Sequence, residues 1–144
     1  MFSFTLKLRI FPAMIRVAVA IIRRDGSVLV CQRKKSARYG LKWEFPGGKV
    51  EDGESESDCL KRELKEELGI EAEIGSLYHR QEYEYPDSGS FDVFYYRVRS
   101  FRGNVQNRAF ESFRWIRESE LQTIDMLQGN RDVVERIVNE TTAP

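Results

Sequence analysis

The chain has 144 residues, 41% of them apolar and 32% charged, with 23 basic side chains balancing 23 acidic ones. That length suits one compact domain with a real core and a water-facing surface. The neutral total excludes the basic excess that stable nucleic-acid binding normally shows.

Cys31 and Cys59 are the only cysteines and His79 the only histidine. Two thiols without metal-ligand spacing make no disulfide scaffold and read as reduced cysteines of a cytoplasmic protein. One histidine, in a strand-like run, reads as structural. It rules out a His-rich zinc site and leaves no Ser-His-Asp triad.

From the N-terminus, Met1 to Ile22 is rich in apolar residues, but Lys7, Arg9, Pro12 and Arg16 interrupt it. No run approaches the roughly 20 apolar residues that span a bilayer, and no small-residue cleavage site follows. Residues 1–13 therefore read as an extension and residues 14–144 as a single domain, with no internal repeat or linker. Arg16–Ile22 and Ser27–Arg33 read as strands joined by Asp25-Gly26, a pair suited to a type I′ turn. A basic loop, Lys34–Gly40, leads to a short aromatic strand, Leu41–Phe45, ended by Pro46-Gly47-Gly48.

A helix is expected over Ser55–Leu68, opened by a Ser55/Asp58 cap and stopped by Gly69. Leu60, Leu64 and Leu68 would form its buried stripe. Strands follow at Ile70–Ile74, Leu77–Tyr85 and Phe91–Phe101, the last two joined through Pro86-Asp87-Ser88-Gly89. A short strand at Phe113–Ile116, a brief helix capped by Ser119 and a helix over Arg131–Asn139 complete the chain. The interspersed elements give an α/β class, a hairpin-rich sheet covered by helices.

The chemistry concentrates between Gly48 and Ile70. Glu54 follows Gly48 after a short spacer, and the helix then carries Arg62-Glu63-Leu64-Lys65-Glu66-Glu67-Leu68-Gly69-Ile70. Glu63, Glu66 and Glu67 stand at i, i+3 and i+4, so their carboxylates share an arc beside the leucine stripe. Each like-charged pair costs about 0.2–0.5 kcal/mol on an exposed helix, and more where water is excluded. Mg²⁺ offsets that repulsion directly, because it prefers carboxylate oxygens and keeps positions open for phosphate. Arg62 can pair with Glu66 at i+4. A Glu-x-x-Glu-Glu alone would be an ordinary solvated helix face. The complete pattern, with its Gly-Gly turn and preceding strand, is much more specific.

That pattern resembles the Nudix box at every specified position, and the chain is identified on it as a member of the Nudix family. The resemblance implies the Nudix fold, an α/β/α sandwich around a mixed sheet, and hydrolysis of nucleoside diphosphates linked to another group. It implies that Glu63, Glu66 and Glu67 bind the metal with the Gly47 carbonyl, that Glu54 supports loop and metal shell, and that Arg62 orients Glu63. A further carboxylate outside the box often serves this family as base or ligand. Glu111 is the candidate, with a surface glutamate at a strand start as the plain alternative.

Similarity extends across roughly Ile15–Val138. Val17–Ile22, Trp43–Lys49 and Tyr83–Asp87 look like MutT-type 8-oxo-dGTP pyrophosphohydrolases, a subgroup that includes enzymes acting on CTP and methylated dCTP. By that resemblance Asn130 reads the base edge, with capping of the following helix as its other reading, and one residue can do both. Arg33 would lie near the base and Lys49 would bind substrate. Phe45 and Tyr85 would wall the base or pack in the core.

The implied reaction is Mg²⁺-dependent, with Mn²⁺ as substitute, and converts a nucleoside triphosphate to monophosphate and pyrophosphate. The primary expectation is sanitation of 8-oxo-dGTP. The alternatives are CTP, dCTP or 5-methyl-dCTP as substrate and, in another class, a non-catalytic nucleotide-binding module. An ADP-ribose or dinucleoside-polyphosphate hydrolase fits the flanking segments less well. The loop Lys34-Lys35-Ser36-Ala37-Arg38 departs from the MutT pattern and bears on base preference. No membrane partner and no stable nucleic-acid complex are expected.

Overall fold

The computed structural model describes residues 14–87 and 89–142; the expected extension, 1–13, and Ser88 lie outside the described residues. In order come β1 (Ile15–Ile21), β2 (Arg23–Arg24), β3 (Ser27–Gln32), β4 (Trp43–Glu44), β5 (Gly47–Lys49) and α1 (Glu56–Leu68). Then follow β6 (Glu71–Tyr85), β7 (Gly89–Arg102), β8 (Ser112–Arg117), 3₁₀ turns at Glu118–Thr123 and Gln128–Asn130, and α2 (Arg131–Thr142).

One sheet has the order β5-β1-β7-β6, with β1 and β7 parallel and the other pairs antiparallel. In the other, β3 pairs with β2, β4 and β8, all antiparallel. Along β1, Val19 and Ile21 join a core with Val133, Val134 and Ile137 of α2. Their neighbours Ala18 and Ala20, with Ile22, join a second core with Leu60, Leu64 and Leu68 of α1. β3 divides the same way, Val28 and Val30 against Leu29 and Cys31. A period of two with both faces covered explains why these strands read as continuous apolar runs. The α/β/α sandwich implied by the resemblance is therefore the fold found.

Local signals held where they were strongest. Asp25 and Gly26 have φ of 53° and 75°, as the turn demands. Ser55 caps α1 by accepting from the Asp58 amide at 3.1 Å, and Gly69 closes the helix at φ 67°.

Four expectations differ. The aromatic strand expected over Leu41–Phe45 is only Trp43–Glu44, since Leu41 sits in a turn at φ 67°. The two strands foreseen between Ile70 and Tyr85 are one continuous β6, carried through register shifts between Glu73 and His79. Bulges of this kind absorb Gly75 without ending the ladder. Ser119 caps nothing: the 3₁₀ turn starts after Arg117 with no side-chain cap. α2 runs on to Thr142, beyond Asn139.

Candidate active site

β5 lies against β1, with Gly47 opposite Val19 and Gly48 opposite Ala18. A Cβ on Gly48 would stand 2.5 Å from Oε1 of Glu63. The absent side chain is what lets α1 set its first box carboxylate against the strand.

Arg62 organises the acidic surface. Its Nε and Nη2 donate to the two carboxylate oxygens of Glu54 at 2.8 and 3.0 Å, and Nη1 donates to Glu63 at 2.8 Å. The expected i+4 partner, Glu66, lies farther off at 3.6 Å. Glu54 also accepts from the Glu51 amide at 3.1 Å. The Arg62 hydrogen bonds, with that backbone bond, pull the Glu54 carboxyl down to about 2. The same carboxylate pairing raises Arg62 above its ordinary value.

Glu67 has the opposite environment. Its Oε2 is buried and has no hydrogen-bond partner. Burial first, then the hydrogen bond with Glu63 and the charges of Glu63, Glu44 and Glu66, push its carboxyl up to about 9. Such a group needs a proton or a cation. Among the described residues no three acidic, thiol or imidazole groups converge into a formed cation cage, for Glu63 and Glu66 turn to Arg62. The all-oxygen donors and the orphaned Glu67 oxygen nevertheless suit a hard divalent ion.

Beside this surface lies a cavity of about 400 Å³, and Arg33, Phe45, Gly47, Lys49, Tyr85 and Asn130 all line it. The anticipated substrate residues thus share one space. Phe45 is 3% exposed and belongs to the α2-side core, so its packing role is real as well. The Asn130 side chain accepts from the Tyr95 hydroxyl at 2.8 Å rather than from a helix amide. Glu111 is exposed just before β8, its backbone N–H bonded to Gln32 O at 2.9 Å. Among the described residues no hydrogen bond or ion pair joins it to the box.

Glu44 is the carboxylate that sequence reasoning missed. It lines the cavity, pairs with Arg33 at 2.9 Å, and its charge acts on Glu67. Burial raises its carboxyl against the lowering effect of Arg33. The available signal was an acidic residue in an otherwise aromatic strand, Trp43-Glu44-Phe45. Tyr39 was missed too. It lines the cavity at φ 55°, its hydroxyl donates to Asp87, and its ring lies 5.2 Å from that of Tyr85. The basic loop is thereby strapped to the β6–β7 turn.

Known proteins share much of this sequence and fold. The chain is 36% identical over 128 residues to an 8-oxo-dGTP diphosphatase of Haemophilus influenzae, covering 88% of this chain and 93% of that one. It is 41% identical over 103 residues to a CTP pyrophosphohydrolase of Escherichia coli, covering 71% and 75%. The solution structure of the E. coli ORF135 protein matches with a TM-score of 0.79 at 32% identity, covering 91% and 94%. The model of the NUDIX domain matches residues 13–137. The chain belongs to the Nudix hydrolase family.

Proposed function

We propose that the protein hydrolyses a (deoxy)nucleoside triphosphate to the monophosphate and pyrophosphate in a Mg²⁺-dependent reaction, with 8-oxo-dGTP as its main substrate. The observation that carries this reading is the continuity of acidic surface and cavity. Gly48, against Glu63, and Glu44, whose charge acts on Glu67, share cavity walls with Arg33, Lys49, Tyr85 and Asn130.

In this reading Glu63, Glu66 and Glu67 hold the ion with the Gly47 carbonyl, and Mn²⁺ substitutes for Mg²⁺. Bound there, a divalent ion would neutralise polyphosphate oxygens and lower the pKa of a coordinated water. Lys49 supplies a mobile cation for phosphate, and Arg62 keeps Glu63 aimed through its grip on Glu54. Glu44 holds Arg33 at the base end of the cavity. Tyr85 and Phe45 wall the base, and Asn130 contacts its edge. Water adds across the phosphoanhydride between the α and β phosphorus atoms, giving the two products. Glu44 takes the place of Glu111 as the carboxylate outside the box. The substrate is a free nucleotide, since no charge excess favours nucleic acid. Among the described residues no helix is long and apolar enough to cross a membrane.

The similarity to the E. coli CTP pyrophosphohydrolase supports a second reading, with a cytosine nucleotide in the same cavity. Steady-state turnover with product identification separates the two. Higher kcat/KM on 8-oxo-dGTP than on dGTP, CTP, dCTP and 5-methyl-dCTP is expected, with loss of turnover on chelation and recovery with Mg²⁺ or Mn²⁺. A preference for any cytosine nucleotide would establish the second reading. No pyrophosphate from any nucleotide with Mg²⁺ would leave a binding module.

A further inference from the structure

We infer that Tyr95 is a positioning residue that fixes the direction of the Asn130 amide, so that the cavity offers the base an N–H donor and selects an exocyclic oxygen over an exocyclic amino group. The inference rests on the reading of Asn130 as a base contact and deepens it.

Tyr95 on β7 is 1% exposed and Asn130 6%. The Tyr95 hydroxyl has a single proton and two oxygens within reach, Asn130 Oδ1 at 2.8 Å and Gly129 O at 3.3 Å. Gly129 O already accepts from Nε2 of the Gln81 side chain. The shorter contact therefore takes the hydroxyl proton. Burial pushes the Tyr95 phenol well above its ordinary value, so it remains a donor at any working pH.

If the amide turned over, the Tyr95 hydroxyl would exchange its 2.8 Å bond to Oδ1 for the longer 3.3 Å contact to Gly129 O, an acceptor it would then share with Gln81. The arrangement with Oδ1 toward Tyr95 is therefore favoured in a dry site. The turn that carries it is pinned as well. The Gly129 backbone N–H donates to Tyr85 Oη at 3.0 Å, and the Asn130 backbone N–H donates to Leu127 O at 2.9 Å. Among the described residues no hydrogen bond uses Nδ2 of Asn130, and Asn130 lines the cavity. With Oδ1 directed to Tyr95, Nδ2–H₂ is the group left to meet the base. A carbonyl at the contacted edge, as in 6-oxopurines, accepts from it. A 6-amino group would set donor against donor, and a mismatched buried polar pair is what gives strong discrimination.

The test measures kcat/KM on 8-oxo-dGTP and 8-oxo-dATP for the wild type, Tyr95→Phe, Asn130→Ala and Asn130→Asp. The oxo-to-amino ratio should fall about five- to tenfold in Tyr95→Phe, the scale of one hydrogen bond. It should collapse in Asn130→Ala and shift toward the amino substrate in Asn130→Asp, whose carboxylate accepts but does not donate. A ratio lost in Asn130→Ala but unchanged in Tyr95→Phe overturns the positioning role while leaving Asn130 as the base contact. A ratio unchanged in Asn130→Ala overturns the base contact itself. Should Tyr95→Phe fail to fold, amide NMR of the wild type decides. Nδ2 protons that shift on nucleotide addition support the inference, and Nδ2 protons in contact with the Tyr95 ring and indifferent to nucleotide overturn it.

Discussion

Arg62 grips Glu54 with two parallel hydrogen bonds, Nε to Oε2 at 2.8 Å and Nη2 to Oε1 at 3.0 Å, tying the loop after β5 to the middle of α1. A planar fork with one further nitrogen free for Glu63 is a geometry only arginine supplies. Arg62→Lys keeps the charge and loses the fork. It is expected to lower kcat/KM about 10–100-fold, the range for outer partners of metal ligands, and to weaken the apparent affinity for Mg²⁺ in a metal titration of the rate.

The same pair makes stability depend on pH. The folded carboxyl of Glu54 is lowered to about 2, so its contribution is complete above the unfolded value near 4.5 and fades as pH falls toward 2. Glu54→Gln should melt below the wild type at pH 7. The gap between their melting curves should narrow as the pH is taken from 4.5 downward. A gap that is constant or wider at low pH would contradict the pairing.

Glu67 separates activity from stability. Because its carboxyl is pushed up to about 9, the metal-free protein holds it protonated at neutral pH, and glutamine is close to an isostere of that form. Glu67→Gln should therefore cost more than about a hundredfold in kcat, beyond the effect of an outer partner. Without divalent metal it should unfold at or above the wild-type temperature at pH 7. Activity assays and melts in chelator check both halves.

Gly129 lies against the hydroxyl end of Tyr85. An added Cβ would collide with the Tyr85 hydroxyl and reach Cζ at 3.0 Å. That hydroxyl is bonded to the Gly129 amide itself, so it has nowhere to retreat without losing the bond. Gly129→Ala should cost about 1–3 kcal/mol of stability, the scale of overpacking. It should also raise KM more than it lowers kcat, because it displaces a cavity wall and leaves the carboxylates in place.

How much was legible beforehand depended on the range of the forces involved. The helix from Glu56 to Leu68, its Ser55 cap, its Gly69 stop and the shared arc of Glu63, Glu66 and Glu67 all follow from contacts within a few residues. So does the Asp25-Gly26 turn. Spacing along the chain carried these.

What spacing could not rank was the inequality among equals. Glu66 and Glu67 are neighbours in sequence, yet Glu66 is 61% exposed while Glu67 has an oxygen sealed from solvent. That difference arises because α1 packs on β1 and β5, and it alone marks Glu67 as the site of unmet charge. Arg62 likewise had an evident helical partner in Glu66, but found Glu54 across the loop.

The residue types therefore determined the local frame and the acidic helix, since turn, cap and periodicity are read over one or two helical turns. Tertiary structure alone decided that Glu44 of β4 acts on Glu67 of α1, and that Tyr95 of β7 lies beneath Asn130. Those pairings depend on the register of strands distant in sequence, where desolvation and hydrogen-bond geometry, not propensity, select the partner.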